Sequence, residues 1–137
     1  MSEDWTDDMA IMHRKYGVND WMEKNKNDRD KVLKFLEFRL EFLKEELQET
    51  VDACKNRDPE EIVDGLIDLC VIAIGTLNAF DVDPHEAWNE ILKCNMNKEV
   101  GIKPGRPNPL GLPDLIKPKN WQGPSHNGNH GLLPNAF

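Results

Sequence analysis

Cysteine is scarce and unpatterned in this chain. Its three residues, Cys54, Cys70 and Cys94, show no CxxC spacing, which argues against a disulfide framework or a thiolate zinc site and for reduced, buried thiols on apolar helix stretches. Positive charge is also in deficit: 17 Lys and Arg stand against 25 Asp and Glu, a net charge of −8. Nucleic acid is therefore not expected as a partner, because backbone binding rests on clustered cations. The opening MSEDWTDD lacks the basic start and apolar core of a signal peptide. The most apolar run, within residues 58–80, reads as too short and interrupted to span a membrane, so no membrane partner is expected. A soluble, cytoplasmic protein follows as the expectation. Glycine and proline are missing from residues 28–56, yet seven of nine prolines and six of nine glycines lie from Gly101 onward.

That contrast predicts an all-α region over residues 1–100 and an irregular Pro/Gly-rich arm over 101–137, without regular helix or strand. A first helix is expected from Asp4 to about Trp21, with Trp5, Met9, Met12 and Tyr16 as a core stripe and Gly17 as a plausible stop. His13 beside it is assigned no role. A long helix follows from Asp28 to Asn56. One stripe is Leu36, Leu40, Leu43, Leu47, Val51 and Cys54; a second edge holds Phe35, Phe42 and Ala53, with Phe38 nearby. The third opens with Asp58 as N-cap, Pro59 at the first position and Glu61 in a capping box. Its segment Leu69–Ile74 is apolar all round, which suits burial on every side. A fourth runs from Pro84 to about Lys98, with Ala87, Trp88, Ile91, Leu92 and Cys94 available to the core. In the tail, Leu110, Leu112, Leu115, Ile116, Trp121, Leu132 and Leu133 are too apolar for a free linker. An arm laid over the bundle or a neighbouring subunit is expected.

Acidic residues interrupt the apolar faces. Glu46 and Glu49 fall within the second edge of the long helix, and Glu45 lies at its border; Glu41 and Asp52 take the solvated side. Asp64 and Asp68 lie one turn apart on the next helix, on the face carrying Gly65 and Gly75. A short connection makes the two helices antiparallel, so Glu49 meets the depth of Asp64 and Glu46 that of Asp68. Buried carboxylates require a cation. Four of them without His or Cys form a hard-oxygen set suited to Mg²⁺ or Mn²⁺, pointing to metal-assisted chemistry on a phosphorylated substrate.

Glu45-Glu46-Leu47-Gln48-Glu49 fits an EExxE signature, and with the Asp68 helix and the Asn95-Met96-Asn97-Lys98 ending it resembles the MazG-like all-α nucleotide pyrophosphohydrolases. That group includes phosphoribosyl-ATP pyrophosphohydrolases and dimeric dUTPases; the compact phage-encoded members are most similar, which would put the protein in the host cytoplasm. The resemblance implies a four-helix bundle completed by dimerisation, as a homodimer or homotetramer. It implies cleavage of a nucleoside triphosphate to monophosphate and pyrophosphate, with Mg²⁺ on Glu46, Glu49, Asp68 and Asp64. Glu45 would orient or deprotonate the attacking water, and Asn95 and Lys98 would contact substrate. Lys103, Arg106, Lys117 and Lys119 could neutralise phosphates. The family's ExxD motif, aligned on Asp68, meets Gly65 where its Glu belongs; Asp64 or Glu61 could replace it. Phosphoribosyl-ATP or guanosine tetraphosphate is an alternative substrate, and a non-catalytic helical interaction module with a decayed acid site is an alternative of another class.

Overall fold

The computed structural model describes residues 3–106, 110–111 and 114–137; the expectation for Leu112 lies outside them. Among the described residues the chain is mostly helical: α1 (Trp5–Lys15), α2 (Val18–Asn25), α3 (Arg29–Lys55), α4 (Pro59–Ala79) and α5 (Pro84–Met96). It divides into two compact units, one of residues 1–84 with 130–137, the other of residues 85–129. The expected boundary after residue 100 falls inside a short strand, β1 (Glu99–Gly101).

In the first unit, aspartates start the helices as the sequence indicates. The Asp4 carboxylate accepts from the Thr6 N–H at 2.9 Å. Asp28 accepts from the Lys31 N–H and Asp58 from the Glu61 N–H, each at 3.2 Å. These caps satisfy donors that the first helical turn leaves without backbone partners. α3 and α4 end alike: Asp58 N–H reaches back to the Ala53 carbonyl and Val82 N–H to the Leu77 carbonyl, both at 3.0 Å. Each closure needs a left-handed residue, supplied by Arg57 (φ 56°) and Asp81 (φ 55°).

The expected first helix breaks at Gly17, and α2 begins directly after it. Its inward face also differs from the Trp/Met stripe. Met9 and His13 are buried, whereas Trp5 and Tyr16 are 56% and 70% exposed. Hydrogen bonding explains the exchange: His13 Nδ1 lies 3.0 Å from Asn78 Oδ1, so a polar side chain can enter the interface. Burial, with the Arg39 charge nearby, lowers the His13 pKa.

The core joins Met22, Val32, Phe80, Val82 and Ala136, flanked by Trp21, Phe35, Leu36, Leu77, Leu132 and Leu133. Trp21 stacks on Phe35 with ring centroids 5.1 Å apart. The chain end therefore belongs to the first unit's interior. It is pinned there by Leu132 N–H on the Phe80 carbonyl (2.6 Å) and Asn135 Nδ2 on the Lys26 carbonyl (2.8 Å). Gly131 permits the approach at φ 54°, its Cα facing the Phe80 and Asp81 backbone with no room for a Cβ.

Several faces expected to be covered are open. Leu40, Leu47 and Val51 on α3 are exposed. In the segment Leu69–Ile74 of α4 Ile72 is buried, Ala73 is exposed and the other four are half-buried, and Val63, Leu66 and Ile67 before it are exposed. At 21 residues α4 is also long and apolar enough to cross a membrane by length and composition, against the sequence argument that it is too short. Cys54 is exposed and Cys70 half-buried; only Cys94 is fully buried. On α5, Trp88, Ile91 and Leu92 are exposed too.

In the second unit, α5 ends at Met96. The tail is not free of strand: β1 pairs antiparallel with β2 (Asp114–Ile116), Glu99 opposite Ile116 and Gly101 opposite Asp114. The bidentate Arg106–Asp114 pair braces this hairpin and holds the Asp114 carboxyl below its ordinary pKa.

Replacing Gly131 by Ala should lower the melting temperature by several degrees, since both φ and the facing carbonyl oppose a side chain. Replacing Arg57 by Gly should raise stability by up to about 1 kcal/mol by relieving its left-handed strain. Thermal and urea melts of the two variants check both.

Candidate functional site

α3 and α4 pack as an antiparallel pair, shown by which residues touch. Arg39 Nε donates to Thr76 Oγ1 at 2.9 Å and its Nη2 to the Ile72 carbonyl at 3.0 Å. Nearer the turn, Thr50 stands against Gly65. Contacts thus descend along one helix as they climb the other. Gly65 is buried where the backbones come close, and a Cβ there would run into the Thr50 side chain. Thr50 is itself tied down, donating Oγ1–H to the Glu46 carbonyl at 2.8 Å. A glutamate at position 65 has no place to go. The departure from the ExxD pattern is therefore built into the helix packing.

The acids gather beside this contact. Glu46 is half-buried, Asp68 half-buried, and Glu45, Glu49 and Asp64 are exposed. Desolvation and then the charges of Glu49, Asp68, Asp64 and Glu45 raise the Glu46 pKa. All five candidate acids thus share one field, with Glu46 at its focus. Among the described residues none of the five forms a salt bridge; the neighbouring ion pairs are Lys44–Glu41 at 3.7 Å and Lys55–Asp52 at 4.0 Å on the solvated side. Glu61 lies exposed in the first turn of α4, its N–H on Asp58.

A hard divalent cation fits this donor set by chemistry: carboxylate oxygens only, one of them held above its usual pKa by desolvation and then by like charges. The side chains do not form a closed cage. Among the described residues no three His, Cys, Asp or Glu side chains are grouped tightly enough to hold a metal ion.

The expected substrate contacts Asn95, Lys98, Lys103 and Lys117 all belong to the second unit. Lys98 and Lys117 converge: their ammonium groups lie 5.4 and 4.9 Å from the Trp121 ring centroid. Asn95 is exposed and accepts the Lys98 N–H on its carbonyl at 3.1 Å. Lys103 sits apart from that pair, accepting the Arg106 N–H at 3.1 Å and adding positive charge near Asp114.

Two residues escaped the sequence argument. Arg39 occupies the same helical phase as Phe35, Phe42 and Glu46, so the reasoning that singled out Glu46 could have found it. Trp121 counted only as an apolar tail residue; its partners, Lys98 and Lys117, become visible once the hairpin register is known.

Charge logic sets the pH dependence. Glu46 ionises less readily in the fold than in the unfolded chain, so its ionised form destabilises the metal-free protein above the raised pKa. That penalty disappears as pH falls toward the ordinary glutamate value. Glu46→Gln should therefore raise the melting temperature of EDTA-treated protein at pH 7.5, with a smaller gain at pH 5. A lower melting temperature at pH 7.5 would contradict this electrostatic picture.

No curated protein and no solved structure gives a match. A family model does, that of phosphoribosyl-ATP pyrophosphohydrolase, over residues 17–95. This span takes in α2, α3, α4 and most of α5, with all five acids and Asn95. The match covers more than half the chain and agrees with the resemblance carried by the EExxE segment: the chain belongs to the phosphoribosyl-ATP pyrophosphohydrolase family, and is a hydrolase acting on phosphorus-containing anhydrides.

Proposed function

We infer that the protein is a Mg²⁺-dependent nucleoside triphosphate pyrophosphohydrolase, releasing the monophosphate and pyrophosphate. The observation supporting this most is Glu46, whose charge is opposed by four neighbouring carboxylates. Glu46, Glu49, Asp64 and Asp68 would hold the cation, with Mn²⁺ as a substitute. When bound, Mg²⁺ supplies charge neutralisation at the phosphate oxygens and polarises the phosphorus centre. Asp64 takes the role left open by Gly65, since it contributes to the field at Glu46. Glu45, exposed at the edge, orients the attacking water and accepts its proton. Lys98, Lys103 and Lys117 contact the nucleotide, their positive charge matching its phosphates, and Asn95 contacts it through its neutral amide.

A second reading has its own support. The matching family is named for phosphoribosyl-ATP, so this nucleotide is an equal contender as substrate. Pyrophosphate release should be measured on ribo- and deoxynucleoside triphosphates beside phosphoribosyl-ATP, with Mg²⁺ and with EDTA. Expected is turnover that EDTA abolishes and Glu46→Ala reduces to background. Preference for phosphoribosyl-ATP alone would select the second reading, and EDTA-insensitive turnover would sink the metal mechanism.

The working form is proposed to be a homodimer or homotetramer in the cytoplasm, with neither nucleic acid nor membrane as partner. Val63 and Leu66, 62% and 52% exposed, present an apolar face on α4 that a second copy would remove from water. At about 25 cal/mol per Å² such a face is a substantial driving force. Light scattering on the eluted protein should give two or four times the 15.8 kDa chain mass, and Leu66→Glu should lower it. A wild-type monomer, or partition into lipid vesicles, would overturn this assembly.

A further inference from the structure

Side chains from α1, α3 and α4 meet over Gly75. His13 Nε2 and Arg39 Nη2 stand 2.9 and 2.7 Å from the point where a Cβ would project from Gly75, with Met9 Cε at 3.0 Å. We propose that His13 is a positioning residue for the acid site: its neutral imidazole holds the Arg39 guanidinium in place, and Arg39 in turn fixes α4 beside Glu46. The use made of the acids rests on the metal-dependent reading; the hold of His13 on Arg39 comes from the packing itself.

Three observations carry it. Asn78 sets the tautomer of His13, which is 2% exposed. Asn78 Oδ1 takes the Asn19 Nδ2–H at 3.4 Å and lies 3.0 Å from His13 Nδ1. Nδ1 therefore carries the proton, and Nε2 presents a lone pair. Arg39 has a donor to place. It is half-buried and forms no salt bridge among the described residues; Nε–H goes to Thr76 Oγ1 and one Nη2–H to the Ile72 carbonyl. The second Nη2–H has the His13 lone pair across the same glycine. Finally, the acids lie between two fixed points of the α3–α4 pair, Thr50 on Gly65 and Arg39 on Ile72 and Thr76. Freeing Arg39 leaves Glu46 and Asp68 held from one side only. Residue 13 precedes the family match, which begins at residue 17.

Acid breaks the arrangement. Protonated His13 has no lone pair and puts a second cation beside Arg39 inside the packing. Arg39 is the charged group facing it. α4 has no charged residue between Asp68 and Asp81, α2 faces it with Asn19, and Arg14, Lys15 and Tyr16 beside it are exposed. Asp8 and Cys70, the other titratable groups along α1 and α4 here, line the pocket by Trp5. Burial, then the Arg39 charge, lowers the His13 pKa from its ordinary 6.5. The stabilisation from neutral His13 is therefore complete above that value and declines as pH falls from there toward the lowered pKa.

The test uses the full chain and two substitutions that divide the bonds of the imidazole. His13→Gln keeps an acceptor where Nε2 stands but cannot titrate; His13→Asn keeps the bond to Asn78 and drops that acceptor. Mn²⁺ affinity, read without nucleotide from the resonance of free Mn²⁺, is compared at pH 7.5 and 5.5. At pH 7.5 His13→Asn should bind about tenfold more weakly than wild type, and His13→Gln within about twofold of it. Toward pH 5.5 the wild type should lose about tenfold more affinity than His13→Gln, whose loss reports the acids alone. In EDTA, amide-exchange protection over Ile72–Thr76 should fall at pH 5.5 in wild type and hold in His13→Gln. A purely structural His13 would change melting temperatures and leave Mn²⁺ affinity of the folded chains alone. Equal Mn²⁺ affinities and equal pH courses in all three chains would thus overturn the positioning role and spare the metal reading. Protection lost in wild type alone, with no Mn²⁺ uptake by any chain, would uphold the grip of His13 on Arg39 and sink the metal reading.

Discussion

Thr50 against Gly65 sets how closely α3 and α4 approach, and the acid site depends on that distance. With a larger residue at position 65 the helices would part, and Asp64 and Asp68 would move away from Glu46. Thr50 is held in turn by the carbonyl of Glu46, so the spacer and the focal acid belong to one turn of α3. One turn thus joins the helix packing to the acid cluster. Toward the other end of the same pair, Arg39 bridges to Ile72 and Thr76 and keeps the register from sliding.

The two helices hold opposing forces. Apolar contacts, capping aspartates and Schellman closures favour the hairpin, whereas five acids beside its turn oppose it. The raised Glu46 pKa is the local sign of that conflict. A site that concentrates negative charge is less stable empty than a neutral equivalent, and it gains from a divalent cation what it loses in repulsion. Sites for phosphate chemistry commonly carry such strain, because the charge that binds metal is the charge that disfavours folding. The lysines flanking the hairpin, Lys98 and Lys117, stand over an aromatic ring and among the described residues form no salt bridge.

Much of the helical fold was legible from local signals. Asp58-Pro59 and Asp28 mark helix starts because capping needs only a short acceptor before the first turn. The phase of Glu46 against Phe42 and Ala53 was readable because helical geometry converts spacing into direction. Other features depended on partners distant in sequence. His13 entered the interior because Asn78, on α4, lies opposite it. The tail formed a hairpin because Asp114 found Arg106 and Ile116 found Glu99, pairings that composition rich in proline and glycine obscures. The last residues joined the core because Phe80 presents a free carbonyl at the end of α4.

By itself the sequence determined the helix starts, the antiparallel pair, the nearness of Glu46 to the acids around it and the resemblance that named a pyrophosphohydrolase. These follow from periodicity, capping and short connections, which act over a few residues. The tertiary structure alone decided that Gly65 is required by Thr50, that Glu46 is half-buried among the other acids, and that Lys98 and Lys117 meet on Trp121. Each of these is a meeting of side chains from separate elements, and helix packing or strand register, not local spacing, sets where they meet.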